Sequence, residues 1–436
     1  MSAPLHMRLG AIAGRRSNGW NGSGGLGRWG VRIFLVTATA TATATTTATA
    51  LQAQAPAEWP AFTAQLNSYV AADSIVGAAA LVMRDGRVLA RHEVGFGDRV
   101  LGQRVDTNTI FHWGSMTKTF TAIAVMQMVE AGRLSLDAKV TTFIPELRRV
   151  HPFAGTSVDD ITVRMLLSHS SGFQGGTWPW GNGKPWEPFE PTTWDQLVAM
   201  MPYSETRFAP GAMYSYSNPG FVYLGRIVME LTGDPWEAYV TKNFFTPLGL
   251  TRSYFNSTPR HLAAFRSNNY DLRKDSTGRV GLRANGRDFD PGITIPNGGW
   301  NAPLGDVARY VAFLTNATAD QPMRGEPTPR GDAATRMLYE AILKRPTLES
   351  MWEPLYATGP DASGEWMGLS FFVERIPGGK LVGHTGSQAG FRSFFYWNPA
   401  TRTAVILAVN TSNSVDGRAS ADRFRKLIAA AKLILK

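Results

Sequence analysis

The sequence at residues 111–122 reads FHWGSMTKTFTA and joins a serine and a lysine, three positions apart, to the start of an apolar helix. Residues 120–129 are apolar on nearly all sides, which predicts a helix buried in the interior rather than one lying on the surface. Gly132 is the expected terminator of this helix. If the helix begins at Ser115, the side chains of Ser115 and Lys118 lie one turn apart on the same face.

Serine and lysine at this spacing suit nucleophilic catalysis. A serine hydroxyl is a weak nucleophile, so it needs a neighbouring group that takes its proton. A desolvated lysine can accept that proton or hold the charge while another base acts, and a helix N-terminus can stabilise an oxyanion. Taken alone the pattern is weak, because Ser-x-x-Lys arises by chance about once in a chain of this length. A capping serine beside a surface lysine is the alternative, but the buried run that follows puts Lys118 at the edge of a core.

A second candidate motif is Tyr216-Ser217-Asn218, which lies in a stretch rich in tyrosine, glycine and proline at residues 210–220. A phenol has a pKa near 10, but one or two neighbouring cations make its phenolate accessible, so that Tyr216 can take the serine proton. The amide of Asn218 can donate to a substrate carbonyl and accept from Lys118. A tyrosine-rich turn without a catalytic role is the alternative, and it is favoured when the motif is considered alone.

A third candidate motif is His384-Thr385-Gly386-Ser387, on a strand expected near the C-terminus. The small residues let a substrate backbone lie alongside the strand, which suits an extended acyl donor. The N–H of Ser387 can then join the N–H of Ser115 in an oxyanion hole. A structural histidine at a strand end is the alternative for His384, and it too is favoured when the motif is considered alone.

Hydrophobic patterning outside these motifs predicts strands at both ends of the chain and helices in the middle. A first helix is expected at residues 59–70, and a closing helix at residues 418–436. Two β-like runs flank the pair Asp85-Gly86, which is typical of a hairpin turn. The β pattern returns after about Trp366, in four runs at residues 368–375, 381–384, 391–397 and 403–410.

This arrangement predicts an α+β protein of the α/β-sandwich type. One antiparallel sheet made from both chain ends has helices on its faces and carries an inserted, mostly helical region. The domain spans residues 56–436, with the sheet part at about 56–105 and 360–436 and the insert at about 106–359. A cleft between the two parts is the expected place for an active site. Stretches rich in glycine and proline predict irregular structure at residues 174–194 and 318–332.

The first 55 residues predict export. A basic stretch ends at Arg32 and is followed by an uncharged run, residues 33–50, that is rich in threonine and alanine. Small residues at positions 53–55 resemble a signal-peptidase site. A cleaved signal peptide is the first interpretation, which places the protein in the periplasm or outside the cell. An uncleaved membrane tether or a misassigned start codon is the alternative.

Composition excludes several function classes. Five of the ten net positive charges lie in the first 55 residues, and the rest form no basic stripe of the kind that follows a phosphate backbone. The chain has no cysteine, so a thiolate nucleophile, a disulfide and a Cys-ligated metal are impossible. It contains no Gly-x-Ser-x-Gly motif, and its seven histidines include no His-x-x-x-His pair. We therefore expect neither a metal nor an organic cofactor, and no nucleic-acid partner.

The three motifs occur in the order and context of a known family. From about residue 60 to residue 436 the chain resembles the class C-like branch of the serine β-lactamase and penicillin-binding-protein superfamily. That branch includes β-lactamases, D-alanyl-D-alanine carboxypeptidases, D-aminopeptidases and family VIII esterases. Four segments carry the resemblance, at residues 111–122, 130–137, 161–173 and 297–310.

The resemblance implies roles for the motif residues. Ser115 is the acylated residue, Lys118 its partner, Tyr216 the general base and Asn218 an amide that orients the substrate. In the segment at residues 161–173, the resemblance implies a structural role for His169. Thr385, Gly386 and Ser387 are expected to bind substrate.

One position departs from the β-lactamase pattern. His384-Thr385-Gly386 falls where many members have Lys-Thr-Gly, so a mostly neutral imidazole replaces a permanent cation. Recognition of a substrate carboxylate is then expected to weaken unless another cation helps, and Arg392 is the candidate for that cation. Histidine at this position is familiar among the esterase and D-aminopeptidase relatives.

The sequence therefore predicts a serine hydrolase that forms an acyl-enzyme and cleaves small esters or D-amino-acid-type amides. A DD-carboxypeptidase or β-lactamase acting on cell-wall peptides or β-lactams is the alternative among enzymes. A penicillin-sensing or assembly module without turnover is the alternative from another class. The oligomeric state and the natural substrate stay open.

Overall fold

A hairpin near the start of the described chain forms where the sequence predicts it. Strand β1 (Gly77–Arg84) pairs antiparallel with strand β2 (Arg87–Asp98). The two turn residues, Asp85 and Gly86, have φ angles of 52° and 76°. Positive φ at both positions gives a turn whose twist matches that of the flanking strands, and aspartate and glycine tolerate this conformation.

The computed structural model describes residues 55–173, 175, 191–318, 332–359 and 364–436. These residues all belong to one unit that spans residues 50–436. The predicted signal segment, and most of the two stretches that the sequence predicts to be irregular, lie outside the described residues.

Strands from both ends of the chain build one large sheet. Besides β1 and β2, the strands are β3 (Gln103–Arg104), β4 (Ile110–Gly114), β5 (Asn269–Lys274), β6 (Val280–Gly286), β7 (Trp300–Pro303), β8 (Tyr356–Ala357), β9 (Glu365–Met367), β10 (Phe372–Ile376), β11 (Gly379–Gln388), β12 (Phe391–Asn398), β13 (Thr403–Val409) and β14 (Thr411–Asn413). The large sheet has the order β3-β2-β1-β13-β12-β11-β10-β9-β8, and the smaller sheets are β14-β5-β6 and β4-β7. The pairing of β1 with β13 joins the two chain ends, and this confirms the predicted fold class.

Helices pack on both faces of the large sheet. They are α1 (Trp59–Ala72), α2 (Thr117–Glu130), α3 (Val163–Leu167), α4 (Trp194–Met200), α5 (Asn218–Thr232), α6 (Trp236–Val240), α7 (Thr246–Leu248), α8 (Ile295–Gly298), α9 (Leu304–Leu314), α10 (Asp332–Ile342), α11 (Arg345–Ser350) and α12 (Gly417–Leu435). Alternate residues of β1 point to opposite faces. Ala80 and Val82 pack with α1 and α12, whereas Leu81 and Met83 pack in the larger core that contains α2.

Helix α2 is the buried helix that the sequence predicts. Phe120, Ile123 and Val125 have no solvent exposure. Burying one such side chain stabilises the fold by roughly 2 kcal/mol. The chain leaves the helix at Gly132, whose φ of 67° is the left-handed conformation that commonly ends helices.

One predicted strand begins later than the sequence indicates. Residues 368–375 were expected to form a single run, but residues 368–371 form the turn between β9 and β10, where the N–H of Gly368 donates to the carbonyl of Phe371 at 2.8 Å. Ser370 in this turn has a φ of 71°. The expected start of this strand at Gly368 is wrong, because hydrophobic patterning does not distinguish a short turn made of apolar and small residues from a strand.

Two kinds of site have no counterpart in the described part of the chain. None of the helices there combines the length and the apolar character needed to span a bilayer. The same residues contain no cluster of three or more histidine, aspartate or glutamate side chains arranged to hold a metal ion.

Candidate active site

Ser115 lies on a tight turn between β4 and α2. Gly114 ends the strand with a φ of 54°, which a glycine adopts without strain. The hydroxyl of Thr117 donates to the carbonyl of Gly114 at 2.6 Å and accepts the N–H of Trp300 at 3.0 Å, so both sides of the turn are held. The helix begins at Thr117, two residues later than the sequence predicts, and Ser115 stays partly exposed.

Lys118, in the first turn of α2, reaches the Ser115 hydroxyl. Its Nζ lies 3.0 Å from Ser115 Oγ, 2.8 Å from Asn218 Oδ1 and 2.9 Å from the carbonyl oxygen of Asn297. Lys118 has no solvent exposure. All three neighbours are neutral, and burial lowers the pKa of the Lys118 amine well below its ordinary value. A lysine in such surroundings can take a proton from the serine.

Tyr216 and Asn218 flank the start of helix α5. Ser217 between them caps this helix, since its hydroxyl accepts the N–H of Gly220 at 3.2 Å. The Tyr216 ring lies 5.0 Å from Lys118 Nζ, and its phenol shares a side-chain hydrogen bond with Ser115. The structure therefore brings together the serine, the lysine, the tyrosine and the amide that the sequence nominates.

Burial works against a permanent phenolate on Tyr216. It raises the pKa of the Tyr216 phenol above its ordinary value, and the hydrogen bond with Ser115 opposes this rise only in part. From the sequence, a neighbouring cation is expected to make the phenolate accessible. In the structure the loss of water around the ring has the larger effect, so the phenol of Tyr216 is protonated near neutral pH.

Strand β11 lies directly against the turn that carries Ser115. The hydroxyl of Ser393, in the neighbouring strand β12, donates to the carbonyl of Trp113 at 3.0 Å. A Cβ atom placed on Gly114 would be 3.0 Å from the backbone nitrogen of Ser387. The backbone of Ser387 therefore lies next to the turn that carries Ser115, as the predicted oxyanion hole requires.

Gly386 allows this close approach, and we expect Gly386→Ala to disrupt it. A Cβ atom there would be 2.0 Å from the Trp113 carbonyl oxygen, so β11 or the Ser115 turn must shift. We expect a loss of about 3 kcal/mol in the free energy of unfolding and of most activity. Urea unfolding monitored by circular dichroism measures the first quantity. Gly379→Ala, in the same strand with nothing within 4 Å, is the matched control, and equal effects of the two changes would contradict the assignment.

His384 is a buried, neutral imidazole. Its Nδ1–H donates to the carbonyl of Thr385 at 2.6 Å, which leaves Nε2 unprotonated and without a partner among the described residues. Its ring centroid is 6.4 Å from that of Tyr216. Burial, together with the nearby Lys118, lowers the pKa of His384 to about 3. The site thus has no cation at this position near neutral pH.

This pKa makes stability depend on pH. Below pH 6.5 the unfolded chain takes up a proton at His384 that the folded chain does not bind until about pH 3, so the free energy of unfolding falls as the pH falls. We expect His384→Gln to remove about 2 kcal/mol of this loss between pH 7 and pH 5. Urea unfolding at several pH values measures the slope, with the exposed His151→Gln as control. An unchanged slope in His384→Gln would mean that the folded protein binds the proton.

Arg392 lies on the other face of the sheet. It pairs with Ser387 across β11 and β12, while the adjacent Ser393 points towards Trp113. The guanidinium of Arg392 donates to the hydroxyls of Ser420 at 2.8 Å and Tyr69 at 3.4 Å, beside α12 and α1. The structure does not bring Arg392 into contact with Lys118, Tyr216 or His384, because successive residues of a strand point to opposite faces.

Two neighbours of the site were not assigned roles in catalysis by the sequence. The carbonyl of Asn297 accepts from Lys118, and the amide of Asn297 donates to the carbonyl of Asn218 at 3.4 Å. The ring of His169 stacks on Tyr216 at 4.3 Å, and its Nδ1 accepts the N–H of Ser217 at 3.0 Å. A backbone carbonyl leaves no mark in a sequence, whereas the expected structural role of His169 agrees with the stacking.

The fold and the site together define a class of protein. A partly exposed serine on a strand-to-helix turn, a buried lysine beside it and a tyrosine at a facing helix start are the kinds of group that nucleophilic catalysis by a serine hydrolase requires. The sequence model of the Beta-lactamase family matches residues 62–430, and the chain belongs to that family.

Similar proteins include enzymes of this class. Penicillin-binding protein 4 of Amycolatopsis lactamdurans is 28% identical over 370 residues, covering 81% of this chain and 85% of that protein. Esterase EstB of Burkholderia gladioli is 34% identical over 185 residues, covering 40% of this chain and 46% of the esterase. The octameric penicillin-binding protein homologue from Pyrococcus abyssi superimposes with a TM-score of 0.66 at 26% identity, covering 86% of this chain and 77% of that chain.

Proposed function

We propose that this serine hydrolase cleaves small esters or D-amino-acid-type amides through an acyl-enzyme on Ser115. The contact of the buried Lys118 amine with Ser115 Oγ, at 3.0 Å, is the observation that carries the proposal. The Lys118 amine has a lowered pKa and no carboxylate partner among the residues that the structure describes, so it is a base suited to a serine nucleophile.

In the proposed acylation, Ser115 Oγ attacks the substrate carbonyl carbon while its proton passes to Lys118. The N–H groups of Ser115 and Ser387 hold the oxyanion. Tyr216, protonated in the resting site, delivers a proton to the leaving alcohol or amine, and Lys118 restores it. A water molecule then attacks the acyl-enzyme by the same route in reverse and releases the acid.

The acyl chain is proposed to lie along the edge of β11. Among the described strands, residues 384–388 pair with β12 alone, because the pairing with β10 ends at Gly383. An extended chain can hydrogen-bond to such an edge. The neutral His384 offers no charge to a carboxylate beside Tyr216, which supports esters and amides that carry no carboxylate at that position. The esterase relative supports ester substrates.

A DD-carboxypeptidase or β-lactamase activity is the second candidate. The similarity to penicillin-binding protein 4 over most of both chains favours it. It would require a carboxylate site close to Tyr216, and the residue at that position, His384, is buried and neutral.

Substrate preference tests the choice between these functions. We expect kcat/KM for 4-nitrophenyl butyrate or D-alanine 4-nitroanilide to exceed that for nitrocefin by about 100-fold, because a lost charge contact costs roughly this factor. Absorbance at the product wavelengths gives all three rates, and Ser115→Ala gives the background. Faster turnover of nitrocefin would reverse the assignment in favour of the β-lactamase.

A further inference from the structure

A cavity of about 600 Å³ lies on the α12 face of the sheet. Thr385 and Ser387 line it, so it begins at the strand edge where the acyl chain is proposed to bind. Phe372, Phe424 and Ile428 contribute apolar wall. The charged groups that line it are Glu365, Glu374, Arg392, Arg425 and Lys432.

An acyl chain extended along β11 would reach this cavity. Successive groups of an extended chain point to opposite faces of the sheet. The Ser115 turn lies on one face of the sheet, where Gly386 and Ser393 contact Trp113. The cavity lies on the other face, next to Thr385 and Ser387. A substituent of the acyl group on this second face therefore enters it.

Most charges in the cavity are already paired. Lys432 Nζ lies 2.8 Å from Glu365 and 3.0 Å from Glu374, with a further contact from Lys436 to Glu374 at 3.2 Å. The guanidinium of Arg425 pairs with Asp422. Once these pairs are set aside, the cavity keeps one positive charge.

That remaining charge is the guanidinium of Arg392. In the part of the chain that the structure describes, Arg392 contacts no carboxylate within ion-pair distance; it donates instead to the hydroxyls of Ser420 and Tyr69. Both contacts use Nη1, and the Phe424 ring centroid is 5.8 Å from the guanidinium carbon. Other N–H donors of the planar Arg392 guanidinium therefore remain available to bind an anion through two hydrogen bonds.

A buried network fixes the position of this guanidinium. Ser420 has no solvent exposure, and its hydroxyl donates to Asp73 Oδ2 at 2.5 Å while it accepts from Arg392. Asp73, also fully buried, is neutralised by Arg423. Because Asp73 orients the Ser420 hydroxyl as an acceptor, Arg392 is held at one place in the cavity wall.

We propose that Arg392 forms an anion subsite that selects acyl groups carrying a carboxylate on an apolar spacer, and that Ser420 and Asp73 are its positioning residues. The inference rests on the proposed ester- and amide-cleaving function and names its preferred acyl class. This subsite lies on the face of β11 opposite to Tyr216, and it is separate from the position that His384 occupies.

The test compares two esters that differ only in charge. The 4-nitrophenyl esters of 4-carboxyphenylacetic acid and 4-carbamoylphenylacetic acid have matched shapes, and kcat and KM are measured for both. We expect the wild-type protein to prefer the carboxylate by about 10-fold or more in kcat/KM. Arg392→Met is expected to bring the ratio close to one, and Arg392→Lys to keep part of the preference. Arg425→Met, which removes a paired cation from the same cavity, is expected to keep the ratio.

The positioning role of Ser420 has its own readout. Ser420→Ala is expected to raise KM for the carboxylate ester about 3-fold or more with little change in kcat, and Ser420→Thr to retain the low KM. If Ser420 had only a structural role, its replacement would lower the rates of cleavage of both esters together. Thermal unfolding of each variant shows whether the fold persists.

Three outcomes would overturn the proposal, each judged on the ratio of kcat/KM for the carboxylate ester to kcat/KM for the carbamoyl ester. They are a wild-type ratio near one, a ratio in Arg392→Met that is unchanged from the wild type, and a ratio that falls as far in Arg425→Met as in Arg392→Met. If neither ester is cleaved, the proposed function fails, and calorimetric binding of 4-carboxyphenylacetate then decides the subsite separately. Weaker binding to Arg392→Met than to the wild type would support the subsite, and equal binding would overturn it.

Discussion

Ser115→Ala is expected to lower kcat/KM for ester cleavage by a factor of about 10,000 or more, because it removes the oxygen on which the acyl-enzyme is proposed to form. Ser115 Oγ is the hydroxyl that Lys118 Nζ reaches, at 3.0 Å. The turn that holds it depends on the hydrogen bond from the Thr117 hydroxyl to the Gly114 carbonyl, which Ser115→Ala preserves. Initial rates with 4-nitrophenyl butyrate measure the effect, and the thermal unfolding midpoint is expected to stay near the wild-type value.

The control for this change is Ser135→Ala, which alters an exposed serine just beyond helix α2. It is expected to keep the wild-type rate. Residual turnover above about one hundredth of the wild-type rate in Ser115→Ala would assign the nucleophile to another residue.

Lys118→Ala has the second largest expected effect, a fall of about 1,000-fold in the rate of acylation. The amine contacts the Ser115 hydroxyl, and little Tyr216 phenolate is present to replace it as a base because burial raises the pKa of the Tyr216 phenol. Stopped-flow release of 4-nitrophenol gives the acylation rate. The protein should remain folded, since the change removes a buried amine along with its desolvation cost, even though the oxygens of Asn218 and Asn297 lose a donor.

Two further variants sharpen this test. Lys118→Met keeps most of the side-chain volume and is expected to be as slow as Lys118→Ala, which separates the amine from the packing of its stem. Lys139→Ala, at an exposed lysine, is the control for loss of charge. A near-normal acylation rate in Lys118→Met with normal thermal stability would remove Lys118 from the mechanism.

Much of the fold could be predicted because its signals are local. The hairpin at Asp85-Gly86 and the buried helix α2 follow from turn chemistry and from uniform apolar character within short windows. The turn at Gly368–Phe371 could not be predicted in this way. It is set by contacts with distant residues, including the N–H of Leu369 donating to the carbonyl of Met351 at 2.9 Å.

The candidate site, like the fold, could be predicted from the sequence only where its contacts are local. Ser115 and Lys118 are three residues apart, and the turn that leads into helix α2 brings them together, with the N–H of Lys118 donating to the carbonyl of Ser115 at 3.0 Å. Asn218 lies 100 residues further along the chain than Lys118, so no spacing rule connects them, and their contact was expected from the chemistry of the amide and from the family resemblance. The face of the sheet on which Arg392 lies depends on the register between β11 and β12. A shift of one residue in that register would place the Arg392 side chain on the opposite face. No pattern in the sequence specifies that register.

Intact-protein mass spectrometry after brief incubation with a fluorophosphonate tests the central claim most directly. The account predicts one adduct on the wild-type protein, mapped by peptide analysis to Ser115, and none on Ser115→Ala. An adduct that persists in Ser115→Ala, or that maps to another serine, would contradict the assignment of Ser115 as the nucleophile.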